Sequence, residues 1–363
     1  MALVQSQKIV LVINSLQGGG AEKFVLTLGE AFYQMGFDVH ILCFDPKIEY
    51  DIPNGLHYHL IEYKRFRWLP RNKLRFLVFS RIVDKYIKKN IGNSLFILSN
   101  LILADRVFSY SKLPNIAYVI HSTLSTQFEF SSKSPNNFTG QNTLKRIYEK
   151  HPCICVSKGV QNDIQRNFGE KCRTHVIYNP IDFIKVQEQA GDLDIPKGEF
   201  IVHIGSFKKA KRHDVLLKSY KQTSQKFPLY LLGKGGLQEQ VENLILELEL
   251  QNKVKVLGFM KNPYPYLKAA KAKVLASDRE GLPTVLIEAT ALGTPVISTN
   301  CYSGPNEILP KDNLVPVNDV NALADKIEEL MSNPNNFIVP FNEQFLPINV
   351  ARQYLAFMGV DCE

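Results

Sequence analysis

No stretch of this chain approaches the roughly 18 uncharged apolar residues of a membrane-spanning helix, so no spanning helix is expected. The N-terminal run MALVQSQKIVLVINS has no small-residue cleavage site of the kind that ends a secretory leader. An unsecreted, cytoplasmic protein is the expectation. Its six cysteines, Cys43, Cys153, Cys155, Cys172, Cys301 and Cys362, are scattered and form no C-x-x-C pair. That spacing argues against a disulfide framework or a zinc site and fits cytoplasmic thiols. Cys153 and Cys155 would share one face of a strand, as small core residues do. No repeat and no low-complexity tract occurs.

Negative charge is the minority sign. The chain has 35 Asp and Glu against 43 Lys and Arg, a formal net charge of +8. That balance implies an anionic partner such as a nucleotide, a phospholipid or a nucleic acid. The charge is concentrated in YKRFRWLPRNKLRFLVFSRIVDKYIKK, residues 63–89, which holds ten Lys and Arg and one acid, Asp84. Three readings of this stretch stand side by side. It could be an amphipathic surface helix that packs Leu74, Leu77, Val78, Ile82 and Tyr86 on a core. It could be an interfacial element that sets Arg65, Arg67, Arg71 and Lys73 on anionic lipid, with Phe66 and Trp68 dipping in. Nucleic-acid binding is the weakest, since no nucleic-acid motif accompanies the bases.

At 363 residues the chain is too long for one ordinary core and suits two. KIVLVINS reads as a strand, LQGGGAEKFVLTLGEAFYQMG as a Gly-rich turn into a helix ended by Gly36, and DVHILCF as the next strand. Such a strand–loop–helix–strand unit belongs to a parallel α/β sheet. LFILSN, IAYVIHS and CICVS continue the sheet, and residues 157–169 form a helix from a Ser N-cap to a Gly. HVIYNPIDF, 175–183, reads as a hinge broken at Asn179–Pro180. After it the α/β pattern restarts with FIVHIGS, LYLLGKGG, VKVLGF, AKVLAS and PVIST as strands and helices between them. Two doubly wound domains facing across a cleft are expected, with ligands at the carboxyl ends of the strands.

The most informative stretch is SDREGLPTVLIEATALGTPVIST, 277–299. Pro283 suits a helix start, and Gly281 lets the backbone approach a ligand. The amides around 282–285 then offer an anion site that the helix dipole reinforces, through Leu282, Pro283, Thr284 and Val285. Glu280 and Glu288 would repel a phosphate, but ionised carboxylates accept hydrogen bonds from hydroxyls. A ligand with a diphosphate between two polyol rings satisfies both, as a nucleoside-diphosphate sugar does. The plainer alternative is that Glu280 offsets the dipole and Glu288 is a solvated helix residue, although its apolar neighbours call for a partner.

EGLPTVLIEATALGTPVIST followed by SGPNEIL resembles the Glu-x7-Glu region of the retaining glycosyltransferases of family 4, which have the GT-B fold. The resemblance extends over nearly the whole chain. It implies that Glu280 contacts sugar hydroxyls, that Glu288 contacts the nucleotide ribose, and that neither a metal nor another cofactor is needed. No D-x-D motif closes a strand, and Asp192 and Asp194 fall in the linker after the hinge. In HIGSFKKAKRHDVLLKSY a basic loop follows Gly205, which suits a diphosphate; a solvated basic loop is the alternative. Lys211 matches the family's lysine, but Ser206 stands where the family usually has Arg. Lys208 or Lys209 would compensate.

SLQGGGAEKFV fits neither G-x-G-x-x-G nor the P-loop pattern. By resemblance it faces the donor diphosphate and the acceptor, with Gly19 and Gly20 closest. His121, at the end of IAYVIHS, is expected to position the transferred sugar, against the commoner structural role of a lone histidine. LLGKGGLQEQVENL resembles the family's second Gly turn near the nucleotide, with Gly233 and Gly235 as its backbone requirements. Phe259 and Met260 would border the base, and Lys234 either reaches a phosphate or lies in solvent. Ser303, Gly304 and Asn306 would border the sugar.

The expected function is retaining transfer of a hexose or N-acetylhexosamine from a UDP-sugar to a glycan or polyprenyl-diphosphate-linked acceptor, in bacterial capsule, O-antigen or lipooligosaccharide assembly. Peripheral contact with the inner face of the membrane goes with it, and nucleic acid is not an expected partner. Glu280, His121 and Lys211 are the expected catalytic residues, with Gly205, Ser206 and Lys209 among the donor contacts. Residues 1–177 would form the acceptor domain and 178–345 the donor domain, with a helix at 346–363 packed back on the first. An epimerase, a phosphorylase or a non-catalytic nucleotide-sugar-binding protein on the same scaffold are the rivals.

Overall fold

The computed structural model describes residues 7–69, 73–128, 140–191, 195 and 199–360. The chain divides into two compact units, 1–180 with 344–363, and 181–343. The division falls at Pro180–Ile181 rather than at 177–178, because Ile177 still bonds its amide to Cys155 O of the first sheet.

The first unit is built on seven strands: β1 (Lys8–Ile13), β2 (Asp38–Cys43), β3 (Leu56–Leu60), β4 (Phe96–Asn100), β5 (Ile116–Ile120), β6 (Cys153–Cys155) and β7 (Thr174–Val176). They pair in the order β3-β2-β1-β4-β5-β6-β7, all parallel. β1, β2, β4, β5 and β6 are buried nearly throughout, which is why they read as continuous apolar runs. β3 is an edge strand of mixed character, LHYHL, and its weaker pattern hides it in the sequence. Helices α1 (Gly20–Gln34), α2 (Lys73–Tyr86), α3 (Ile102–Phe108), α4 (Leu124–Gln127), α5 (Gln141–Tyr148) and α6 (Lys158–Phe168) lie between the strands. α6 starts where its sequence says: Ser157 accepts a hydrogen bond from Val160 N at 3.1 Å, and Gly169 ends the helix at φ 81°.

The second unit has six parallel strands: β8 (Ile201–Ile204), β9 (Leu229–Leu232), β10 (Val254–Gly258), β11 (Ala272–Leu275), β12 (Val296–Thr299) and β13 (Leu314–Val315). Their order is β10-β9-β8-β11-β12-β13. Helices α7 (Phe183–Gln189), α8 (His213–Lys221), α9 (Gln238–Glu247), α10 (Tyr264–Ala269), α11 (Thr284–Ala291) and α12 (Val320–Ser332) surround the sheet. Two apolar clusters form, one with α8, α9 and α12, the other with α10 and α11. Both units are doubly wound Rossmann-like folds, as expected.

The stretch read as a hinge is partly regular. Val176 closes β7, and Asp182 caps α7 by accepting from Lys185 N at 3.0 Å. A last helix, α13 (Pro347–Phe357), packs on α1 within the first unit; there the Tyr354 and Phe24 rings lie 6.1 Å apart.

Candidate active site

In the second unit, four loops leave the carboxyl ends of β8, β9, β11 and β12 and are laced together. Asp278 N donates to Ala210 O at 2.9 Å, and Phe207 N donates to Lys234 O at 3.1 Å. Ser303 Oγ donates to Gly281 O at 2.8 Å, and Thr299 Oγ1 donates to Ser277 O at 2.5 Å. Close backbone approach explains two glycines. Gly233, at φ 150°, has no room for a Cβ against Gly205 O, and Gly304, at φ 96°, has none against Pro283 and Gly281 O. Gly205 and Gly233 therefore mark one crowded point where the loops after β8 and β9 cross.

Lys211 and Glu280 meet here. Lys211 Nζ lies 2.5 Å from Glu280 Oε1, and Ser277 Oγ donates to the same oxygen at 2.6 Å. Both bonds fall on Oε1. α11 begins at Thr284, one residue later than a helix opened by Pro283 would. Pro283 is the N-cap, and its side chain offers no acceptor to the first-turn amides of Thr284 and Val285. Gly281, Leu282 and Pro283 are buried under the helix start. Glu288 is not a solvated helix residue: it is 3% exposed, and Tyr264 OH donates to its Oε1 at 3.3 Å.

Lys209 is exposed beside Lys208, and Ser206 uses its carbonyl to accept from Lys208 N at 2.7 Å. Lys234 sits over the Phe259 ring at 4.2 Å, a cation–π contact that ties the loop after β9 to the one after β10. Phe259 is exposed and Met260 half-buried.

Sequence reasoning missed three groups. Lys273 is wholly buried on β11, and a lysine inside the apolar run AKVLAS was its signal. His203 and His213 are buried below Gly205 with ring centroids 4.8 Å apart, and His213 stacks on Phe207. Burial and the nearby lysines push His213 down to about 4.

In the first unit, His121 follows the end of β5. Its Nε2 lies 2.9 Å from Asn100 Oδ1, while Asn100 Nδ2 donates to Val12 O and Leu98 O. The amide orientation makes His121 Nε2 the N–H donor and leaves Nδ1 as an acceptor. Burial pushes this imidazole down to about 3, so it is neutral at physiological pH and suited to accept a hydrogen bond from a hydroxyl. Phe24 packs edge-on to it at 4.9 Å. Gly19 is the extended N-cap of α1, and Gly20 opens the helix with space where a Cβ would stand.

A cavity of about 660 Å³ opens in this unit, at the carboxyl ends of β1, β2 and β4, where the strand order reverses. Arg67, Arg75, Arg106 and Lys64 line it beside Phe44 and Tyr63. Lys64 pairs with Asp45 at 2.6 Å, and Arg75 Nε donates to Leu69 O at 2.8 Å. Arg65 is bound to Glu62 at 2.7 Å. Arg71 lies outside the described residues, as do Asp192, Asp194 and Cys362. The α2 helix buries Phe76, Phe79, Ser80 and Val83, not the Leu74–Leu77 face. Phe76, Phe79 and Val83 make the stripe at helical spacing, which leaves Leu74 49% and Leu77 37% exposed; Trp68 is 77% exposed, and Lys73 is exposed as well.

Among the described residues no group of three or more His, Cys, Asp or Glu side chains is placed to hold a metal ion, and no helix is long and apolar enough to cross a membrane.

Comparison with known proteins follows the same division. The family model described as Glycosyltransferase Family 4 matches residues 18–184, and the one described as Glycosyl transferases group 1 matches 186–344. The N-acetylgalactosamine-N,N'-diacetylbacillosaminyl-diphospho-undecaprenol 4-alpha-N-acetylgalactosaminyltransferase of Campylobacter jejuni is 30% identical over 337 residues, 90% of each chain. A second Campylobacter jejuni protein, a GalNAc-alpha-(1->4)-GalNAc-alpha-(1->3)-diNAcBac-PP-undecaprenol alpha-1,4-N-acetyl-D-galactosaminyltransferase, is 26% identical and covers 91% of this chain and 90% of its own. Among solved structures, Anabaena HepE in complex with UDP and glucose superposes with a TM-score of 0.78 at 19% identity, over 97% of this chain and 99% of that one.

Proposed function

Because this chain belongs to the family 4 glycosyltransferases, we propose that it transfers a hexose or N-acetylhexosamine from a UDP-sugar, with retention at the anomeric carbon. The acceptor is a glycan or a polyprenyl-diphosphate-linked glycan of bacterial cell-surface polysaccharide assembly. The observation that carries this reading is the junction in the second unit: Glu280 held by Lys211 and Ser277, beside α11 amides that lack an N-cap side chain, with Glu288 buried one helical stretch away.

Each group has a task in it. The α11 amides and Lys211 stabilise charge on the departing diphosphate, with the Gly205–Ser206 turn and Lys209 at its side. Glu280 turns its second oxygen to a sugar hydroxyl, and Glu288 accepts from the ribose. Gly233, Phe259 and Met260 border the nucleotide. No protein nucleophile is assigned: the leaving phosphate receives the acceptor's proton. The neutral His121 Nδ1 accepts from the transferred sugar and orients it, with Gly19 and Gly20 giving close backbone approach. No metal or other cofactor takes part.

The acceptor's lipid diphosphate falls to the basic cavity of the first unit. The names of the Campylobacter jejuni relatives, which specify undecaprenyl-linked acceptors, support this. Trp68, Leu74 and Leu77 with the surrounding bases contact an anionic membrane surface. The test is a panel of UDP-hexoses and UDP-N-acetylhexosamines incubated with polyprenyl-diphosphate-linked glycan. Acceptor-dependent UDP release from one of them, with an α-linked product from an α-linked donor, is expected. Inversion at the anomeric carbon, or UDP release that ignores the acceptor, would overturn the reading.

A further inference from the structure

The lysine that sequence reasoning missed lies directly under the junction. On β11, Ala272 and Val274 join the α8–α9–α12 cluster while Leu275 joins the α10–α11 cluster. Strand alternation therefore turns Lys273 toward the α10–α11 side, between Val202 of β8 and Val296 of β12. It has no solvent exposure, and its Nζ lies 3.5 Å from Ile204 O, the carbonyl immediately before Gly205. The groups that act on its charge are Lys211 from the loop after β8, Glu288 from α11 and Glu280 from the loop after β11. His203 of β8 and His213 of α8 feel it in turn.

Burial dominates the environment and lowers the Lys273 ammonium to about 7; Lys211 adds to the fall, and the two glutamates oppose it. Both histidines are pushed down, chiefly by burial, and stay neutral above about pH 7.

We propose that Lys273 is a positioning residue that takes up a proton when the donor's diphosphate binds, and that its ammonium, through Ile204 O, fixes the Gly205 turn against that diphosphate. The proposal rests on the donor site described above. An anion arriving over the Gly205 turn stabilises the charged form of a cation beneath it. Below about pH 7 the lysine already carries its proton, whereas above it binding draws part of a proton from solvent, so donor affinity falls as pH rises.

Calorimetric titration of the full chain with UDP, at about pH 8 in two buffers of different ionisation enthalpy, reads that proton. UDP's terminal phosphate, with a second pKa near 6, is already ionised there. Wild type is expected to take up about 0.4 proton per UDP, the amount that follows when a tenfold gain for the charged lysine raises its pKa by about one unit. Lys273→Met should bind UDP about tenfold more weakly near pH 6.5, with no uptake and no pH dependence between about 7 and 8.5. Lys273→Arg keeps a permanent charge and should bind without uptake. Binding of UDP by wild type without proton uptake overturns the proposal whether or not the variants fold, as does equal uptake in Lys273→Met. Failure of wild type to bind UDP at all would instead overturn the donor reading on which it rests.

Discussion

Lys211 Nζ and Glu280 Oε1 stand 2.5 Å apart, so a cation from the loop after β8 and a carboxylate from the loop after β11 act as one unit. Ser277 holds the same oxygen. The pair joins two loops, and in the proposed donor site it offers one positive and one acceptor group to neighbouring parts of a single ligand. Glu280→Gln should cut transfer by well over tenfold, because a neutral amide loses the charge-assisted bonds. Lys211→Met should do the same. In the double variant the losses should fall well short of additive, since each single change already breaks the pair. Steady-state kcat/KM on the four proteins checks this, and additive losses would mean that the two act separately.

Glu288 makes a different demand. It is almost fully buried and bonded to Tyr264. Glu288→Gln should weaken UDP binding by about tenfold or more with a smaller effect on kcat, because the ribose contact is made in ground and transition states alike. Tyr264→Phe should cost less, as it removes one donor and leaves the carboxylate. Titrating UDP into each variant and comparing kcat with KM checks the order, and unchanged UDP affinity in Glu288→Gln would remove the ribose role.

How far the sequence was legible can be judged at these residues. The Glu280–Glu288 spacing was readable because a carboxylate in an apolar helix stands out against its neighbours, and the Gly281–Leu282–Pro283 turn located the helix start to within one residue. The strands buried on both faces, β1 and β4 among them, were readable as apolar runs. The edge strand β3 and the short helices α3 and α5 were not, because their patterns are mixed and brief. The α2 helix was recognised but rotated: leucines at 74 and 77 drew attention from the Phe76–Phe79–Val83 stripe that is buried. The Lys211–Glu280 pair spans 69 residues, a distance at which residue types alone say nothing of contact.

That rotation carries its own prediction. Trp68, Leu74 and Leu77 are exposed among bases, as an interfacial element requires. Trp68→Ala with Leu77→Ser should lower binding to phosphatidylglycerol vesicles by about tenfold or more without lowering UDP affinity. Added salt should weaken the remaining attraction, about 1 kcal/mol per basic residue at the surface. Vesicle sedimentation at two salt concentrations measures both effects, and binding unchanged in the double variant would exclude this face.

A histidine cluster at the edge of the first sheet contributes to the acid limit of stability, alongside His121 and His213, which burial also pushes down. His40 Nδ1 lies 2.9 Å from His59 Nε2, and Asp38 Oδ1 is 3.2 Å from both His40 and His57. Burial first, then the two neighbouring imidazoles, push His40 down to about 4 despite Asp38. The unfolded chain binds this proton near 6.5, so the unfolded state takes up more protons below that pH. Stability should be fully present above about pH 6.5 and fall between there and about 4, by on the order of 2–3 kcal/mol from His40 alone. His40→Gln should make that limb shallower by about this amount in denaturant melts across the range; an unchanged acid limb would contradict the assignment.

The proposed transfer from a UDP-sugar rests on the Glu280 junction. Its most direct test is UDP release from the preferred UDP-sugar, with and without a polyprenyl-diphosphate-linked glycan, in wild type and Glu280→Gln. Release that requires the acceptor and drops more than about tenfold in the variant, with UDP still bound, is the predicted result. Turnover in Glu280→Gln equal to wild type, or no release from any UDP-sugar in the presence of acceptor, would contradict it.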